Sequence, residues 1–139
     1  QDIAILTAGK KLLAVDLESG DVAYSHESNS SIVDASPCFE DENRYAISLV
    51  LSNGQFNIVS PLFEITSNSD GCITDIPYAI TDATLGQSEY GNVIAFFCTP
   101  DKPNRLFCYM YKPYYGEDSI EDFSLDELLS YAHEALEYL

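Results

Sequence analysis

Basic residues are scarce in this sequence: six lysines and arginines stand against 23 aspartates and glutamates in 139 residues, for a formal net charge of −17 and a pI near 4.1. Phosphate binding needs clustered Lys and Arg to displace counterions, so neither nucleic acid nor an anionic membrane is expected as a partner. Long apolar runs are missing too. The longest, such as Val93-Ile94-Ala95-Phe96-Phe97-Cys98, are strand length and far below the roughly 20 residues of a membrane-spanning helix. No Cys-x-x-Cys occurs: Cys38, Cys72, Cys98 and Cys108 are widely spaced, and His26 and His133 lie far from them in sequence. Neither a zinc site nor any other metal or cofactor is therefore expected. The phosphate-cradling patterns Gly-x-Gly-x-x-Gly and Gly-Lys-Ser are absent as well.

No basic-then-apolar leader precedes Gln1, so a processed or trimmed chain is expected. Cys98 and Cys108 sit in apolar runs, where a free thiol is expected as a small buried hydrophobe, with a disulfide as the alternative. The single sequon, Asn29-Ser30-Ser31, means little without signs of secretion. A reducing compartment, the cytoplasm, is expected, with secretion left open.

What is present is a chain 46% apolar and 12% aromatic. That is too apolar for a disordered segment, and long enough to bury about two-thirds of the unfolded surface. We expect a single α+β domain over 1–139, an antiparallel sheet of hairpins over 1–111 followed by an acidic loop and helix over 112–139. The clearest hairpin lies at 45–60. Tyr45, Ile47, Leu49 and Leu51 alternate with smaller residues before Asn53-Gly54, which suits a two-residue type I′ turn pairing Leu51 with Phe56 and Leu49 with Ile58. A second hairpin is expected at 11–25 around Glu18-Ser19-Gly20-Asp21, with Ile3 to Leu6 as an added strand. The third, at 92–111, is apolar on both faces, as central strands covered on both sides are. Leu62 to Thr66 and the turn at 67–71 follow the first of these, and Pro77 makes the stretch 73–80 an edge or a loop. The expected sheet has five to seven strands.

The period then changes. Leu125, Leu128, Leu129, Ala132, Leu136 and Leu139 share one helical face, Ser124-x-x-Glu127 forms a capping box, and Phe123 can staple onto Leu128. This predicts a helix over about 125–138 that packs its leucine stripe across the sheet.

Ala14-x-Asp16-x-x-Ser19-Gly20-x-x-x-Tyr24 resembles the blade consensus of quinoprotein-type β-propellers, Ala-x-Asp-x-x-Thr-Gly-x-x-x-Trp, with Ser for Thr and Tyr for Trp. The match spans 11 residues and does not recur at the other hairpins. A whole propeller needs four or more four-stranded blades, so the motif is read as a strand–turn–strand, with a propeller fragment as an alternative.

Catalytic patterns are weak. Gly86-Gln87-Ser88-Glu89-Tyr90-Gly91 misses the Gly-x-Ser-x-Gly elbow by one residue and reads as a loop. Asn68-x-Asp70-Gly71 imitates the middle of a calcium loop, but Thr66 and Pro77 hold the positions where charge is needed. No catalytic residue and no enzymatic activity are expected.

Charge is the more informative signal. Residues 117–139 carry eight acids and no Lys or Arg, so nearly half the net charge lies in the last 23 residues. Acids just before a helix and in its first turn answer the macrodipole, which accounts for Glu117, Asp118, Glu121, Asp122, Asp126 and Glu127. It does not account for Glu134 and Glu137 near the helix C-terminus. A field of this size steers basic partners. The expected contact groups are Glu40, Asp41 and Glu42 at one loop tip, then Glu117, Asp118, Glu121, Asp122, Glu134 and Glu137. Tyr114 and Tyr115 serve either as aromatic anchors or as closure of the core. The functional expectation is a non-enzymatic acidic inhibitor or immunity-type protein, DNA-mimicking in one version, engaging a basic partner such as a nuclease. The alternatives are a structural or interaction module such as a propeller fragment, or a domain whose C-terminal helix docks into a partner's groove.

Overall fold

The computed structural model describes residues 2–41, 44–59, 72–88, 91–112 and 115–137, with backbone alone for 39–41, 44 and 72–75. Leu62 to Thr66, the 67–71 turn with its calcium-like loop, Glu42 and Tyr114 lie outside the described residues. The described residues form three antiparallel meanders in succession. The first joins β1 (Ile3–Ala8), β2 (Lys11–Asp16) and β3 (Val22–Glu27); the second joins β4 (Ile32–Asp41), β5 (Arg44–Leu51), β6 (Gln55–Val59) and β7 (Cys72–Asp75). The third joins β8 (Asp82–Gln87), β9 (Val93–Cys98), β10 (Arg105–Lys112) and β11 (Glu117–Ser124), after which comes α1 (Leu125–Glu137).

The hairpins at 11–25, 45–60 and 92–111 are present, but the single sheet of five to seven strands is corrected to three sheets of three, four and four strands. The physical reason is the two-sided apolar character of β5. Ala46 and Val50 belong to a core shared with the third sheet, together with Phe56, Ile58, Val93, Ala95, Phe97, Phe107 and Tyr109. Ile47, Leu49 and Leu51 face the other way, into a core with Leu12 and Ala14 of the first sheet. A sheet sandwiched between two others buries both faces of such a strand. The first strands form the seam: β1 packs on β4, and β4 packs on β8. There the Leu85 N–H, on the edge strand β8, donates to Asp34 Oδ2 of β4 at 2.8 Å.

The 45–60 hairpin differs from expectation in its turn. Val50 pairs with Phe56, Leu49 with Asn57, Ser48 with Ile58 and Ile47 with Val59, one step away from the two-residue register. The loop is the three residues Ser52-Asn53-Gly54, closed by the Gly54 N–H donating to the Leu51 carbonyl at 3.0 Å, with Gly54 at φ +95°. A three-residue hairpin requires such a residue at its end. A one-step slip normally moves a hydrophobic set into water. Here both faces are covered, so the apolar set stays out of water, and Ser48 and Asn57 are buried with the rest, Asn57 Oδ1 without a hydrogen-bond partner among the described residues. Past β7 the chain crosses the end of this hairpin: the Ile76 N–H donates to the Gly54 carbonyl at 2.8 Å and the Ile80 N–H to the Ser52 carbonyl at 3.0 Å.

In the third sheet, β9 and β10 bury one face, through Val93, Ala95, Phe97, Phe107 and Tyr109, while Phe96 and Cys98 on the other face are exposed. Cover on both sides and burial of Cys98 are therefore corrected. Cys38 is the buried thiol, Cys108 is half-buried, and all three are free.

Two corrections concern the C-terminal region. The acidic stretch is not a loop, because Glu117–Ser124 pairs with all of β10 from Lys112–Glu117 to Arg105–Ser124. That register sets Glu117 against Lys112 and lets Arg105 Nε reach Asp122 Oδ2 at 2.7 Å, so the bases of β10 offset the acids of its neighbour. The helix is where expected and its capping box is formed. The Glu127 N–H donates to Ser124 Oγ at 3.2 Å and the Ser124 N–H to Glu127 Oε2 at 3.3 Å. It does not lie across a sheet face, however. It rests against β11, none of its residues is buried, and Leu129 and Leu136 are 59% and 63% exposed. Sheet two already covers the buried face of the third sheet, leaving no room there for the leucine stripe. No described helix is long and apolar enough to cross a membrane.

Candidate functional site

The acidic residues singled out in the sequence fall into two places. Glu40 and Asp41 end β4, where Asp41 pairs with Arg44 in the second sheet. Glu117, Asp118, Glu121 and Asp122 line β11, the edge strand of the third sheet, and Glu134 and Glu137 continue the acidic surface on α1; all six are exposed. Tyr115 caps the β10–β11 turn at 76% exposure, which removes it from core closure and leaves it beside the acids.

Alternation along β11 sorts these acids further. Its register places Asp118, Ile120 and Asp122 opposite Tyr111, Tyr109 and Phe107, on the face that meets the second sheet, whereas Ser119 and Glu121 pair with Met110 and Cys108 on the other face. Burial raises the Cys108 thiol above its ordinary pKa, and the Glu121 charge raises it further, in keeping with that shared face. On the inner side an aromatic array continues from core to surface. Phe56 packs on Tyr109 at 4.5 Å and edge-on to Phe97 at 5.7 Å, Phe97 stacks on Phe107 at 5.2 Å, and Tyr78 tilts over Phe107 at 5.7 Å. Pairs in this range add about 0.5–1.5 kcal/mol each beyond area burial.

Where this array reaches the surface, the crossing segment Ile76-Pro77-Tyr78 and the outer strand β11 enclose a groove of about 470 Å³, floored by Phe107 and Tyr109 and walled by residues 118–122. The Tyr109 hydroxyl donates to Asp118 Oδ2 at 3.0 Å. At the other end Arg105 holds Asp122. Sequence reasoning found the two carboxylates but missed the groove. The available signal was the alternation Phe107-x-Tyr109-x-Tyr111 in β10 opposite Asp118-x-Ile120-x-Asp122 in β11.

The other candidate chemistry is not assembled. Ser88 sits in a turn, where the Asn92 N–H donates to Ser88 Oγ at 3.2 Å. His133 is exposed on α1, and His26 stacks on Tyr24 at 6.4 Å in the first sheet. Among the described residues no group of three His, Cys, Asp or Glu side chains converges as a metal site. The blade-like motif has a clear local role. The Glu18 N–H donates to Asp16 Oδ1 at 2.8 Å, Gly20 takes φ +77°, and Tyr24 packs on the core between the first two sheets.

Successive antiparallel meanders, stacked through their first strands around shared two-sheet cores, define the architecture from which β-propeller blades are built. Neither a protein-family model nor a curated protein matches the sequence. Among solved structures, the chain is similar to BBS1N, crystallised in complex with ARL6DN and soaked with lead. The TM-score is 0.55 at 12% identity, and the match covers 86% of this chain and 37% of that one. The chain thus spans little more than a third of that neighbour's length, and the likeness is one of fold.

Proposed function

We propose that the chain is a non-enzymatic interaction module, a propeller-type stack of meanders that presents its acidic outer edge, β11 and α1, to a basic partner protein. The observation that carries this reading is the seam: β1 on β4 and β4 on β8, each pair of sheets sharing one core. A stack of this kind is a support that sets β11 at the edge of its sheet, where contacts with a partner are proposed. The similar BBS1N structure was solved with a bound protein, ARL6DN, which fits a binding role for such a stack. The edge is the most one-signed part of the chain, with eight acids and no Lys or Arg over 117–139, and such a field raises on-rates with basic surfaces. Free Cys38, Cys98 and Cys108 suit a reducing compartment such as the cytoplasm. The inhibitor or immunity-type role expected from charge alone finds no support in the fold or in the comparisons.

The test is retention of lysate proteins on the immobilised chain at low salt, compared with a variant carrying Glu117→Lys, Glu121→Lys, Glu134→Lys and Glu137→Lys. One basic protein, retained stoichiometrically by the native chain and released by the variant, is expected. Retention of the same protein by the variant, or elution of all basic proteins together at slight salt, would refute the reading.

A further inference from the structure

We infer that the groove between Tyr78 and β11 is a binding site for an arginine side chain of a partner's peptide, with the guanidinium on Asp118 and its stem against the tyrosine and phenylalanine floor. The inference rests on the reading of β11 as the partner-facing edge, and it names the site and the group recognised there.

Three features converge on this occupant. The first is shape and lining: the space of about 470 Å³ is open to solvent yet floored by Phe107 and Tyr109, with Tyr78 and Ile120 beside them. An occupant must therefore bring apolar or planar surface inward. The second is charge. Asp118 and Asp122 project toward this side of β11, and Arg105 answers only the second, through Nε at 2.7 Å. Asp118 accepts the neutral Tyr109 hydroxyl at 3.0 Å, and among the described residues no cation stands against it. That hydroxyl fixes one carboxylate oxygen and leaves the other side of the group to accept from outside. The third feature is that the molecule already shows the interaction once: Arg105 lies along β10 with its guanidinium on an acid of β11. A second guanidinium at Asp118, four residues along the same face, would repeat it from outside.

Arginine suits the site better than lysine. Its planar guanidinium stacks on aromatic faces, donates in a fork to a carboxylate and is more weakly hydrated than an ammonium. Because β11 is the edge of its sheet, a peptide could also run alongside it and pair with its free backbone groups, setting alternate side chains toward the groove.

The experiment uses a fluorescein-labelled peptide of alternating arginine and valine, its citrulline counterpart, and fluorescence polarisation with the full chain at about 0.15 M salt, where the Debye length is about 8 Å. Citrulline keeps the shape and removes the charge. Binding of the arginine peptide should exceed that of the citrulline peptide by about tenfold or more, and Asp118→Asn should weaken it by about tenfold. Tyr78→Leu should weaken it as well. Glu18→Gln with Glu27→Gln removes twice the charge from exposed positions of the first meander, which shares no core with the third sheet, and should leave affinity within about twofold. Equal binding of the two peptides, or a Glu18→Gln, Glu27→Gln double variant as weak as Asp118→Asn, would overturn the site. If the groove variants bind like the native chain while a captured basic partner is still lost on β11–α1 charge reversal, the groove fails and the broader reading of the acidic edge survives.

Discussion

Replacing Gly54 by alanine should be the most damaging single-methyl addition to this protein. Gly54 holds φ +95°, and a Cβ built there would lie 2.3 Å from the Ile76 carbonyl oxygen and 2.6 Å from that of Tyr78. Both atoms are backbone, so no side chain can swing aside. The left-handed conformation costs an L-residue about 1–2 kcal/mol. Displacing the 76–80 crossing breaks or stretches the bonds from the Ile76 and Ile80 N–H groups to Gly54 and Ser52, worth about 1 kcal/mol each. The expected total is about 3–4 kcal/mol. Gly9→Ala is the matched control, since Gly9 also has positive φ, at +60°, but open space around it, and it should lose only the backbone share of about 1–2 kcal/mol. Urea unfolding followed by circular dichroism, with the slope checked for constancy, measures both. Equal losses for the two variants would show that the close approach of the crossing segment carries no energy, and would refute the account of how the second and third sheets are locked together.

Three further outcomes are expected. Asp34→Ala leaves the Leu85 N–H without its acceptor at the seam and should cost about 1–3 kcal/mol in urea unfolding, whereas Asp82→Ala, at an exposed position, should be near neutral; equal effects would remove the seam bond from the account. Ending the chain after Ser124 deletes a helix with no buried residue and should change stability by less than about 1 kcal/mol, so loss of the cooperative transition would show that α1 belongs to the core after all. Burial raises the Cys38 thiol above its ordinary pKa against the pull of its Ser48 hydrogen bonds, so the folded state keeps a proton that the unfolded state releases. Stability from this source is complete below the ordinary thiol range and falls as the pH rises through it toward the raised folded value; Cys38→Ala should flatten that alkaline decline, and an unchanged slope would argue against it.

Local elements were readable from the sequence because their signals are local. The capping box Ser124/Glu127, the turn set at 18–21 and the two apolar runs of the 92–111 hairpin depend on residues a few positions apart, and each forms as expected. The number of sheets was not readable. Val50 and Leu49 are neighbours in one strand, yet they serve different cores, and nothing in the apolar run of β5 tells a strand buried twice from a central strand beneath a helix. The helix was misplaced for a related reason: its stripe of leucines signals an apolar face and not what, if anything, covers it. For the site, the acids of β11 stood out by composition, but Tyr78 approaches Phe107 only through the crossing of the 45–60 hairpin, a contact between distant segments that no spacing rule carries.

Among the described residues the two cores meet in the second sheet: no described side chain of the first sheet contributes to the core shared by the second and third, and none of the third contributes to the other. Mechanical communication along the stack therefore runs through the second sheet, where β5 turns Ala46 and Val50 one way and Ile47, Leu49 and Leu51 the other, and β4 touches both outer sheets beside it. Damage on one side of β5 can be absorbed by letting an outer meander fray while the remaining pair stays folded, as nearest-neighbour coupling allows in repeat architectures. Damage to the strand itself weakens both. Native-state hydrogen exchange should then show a gradient of protection, highest at the amides of β5 and falling outward in both directions, so that the acidic edge where contacts with a partner are proposed sits on the meander most able to adjust to it.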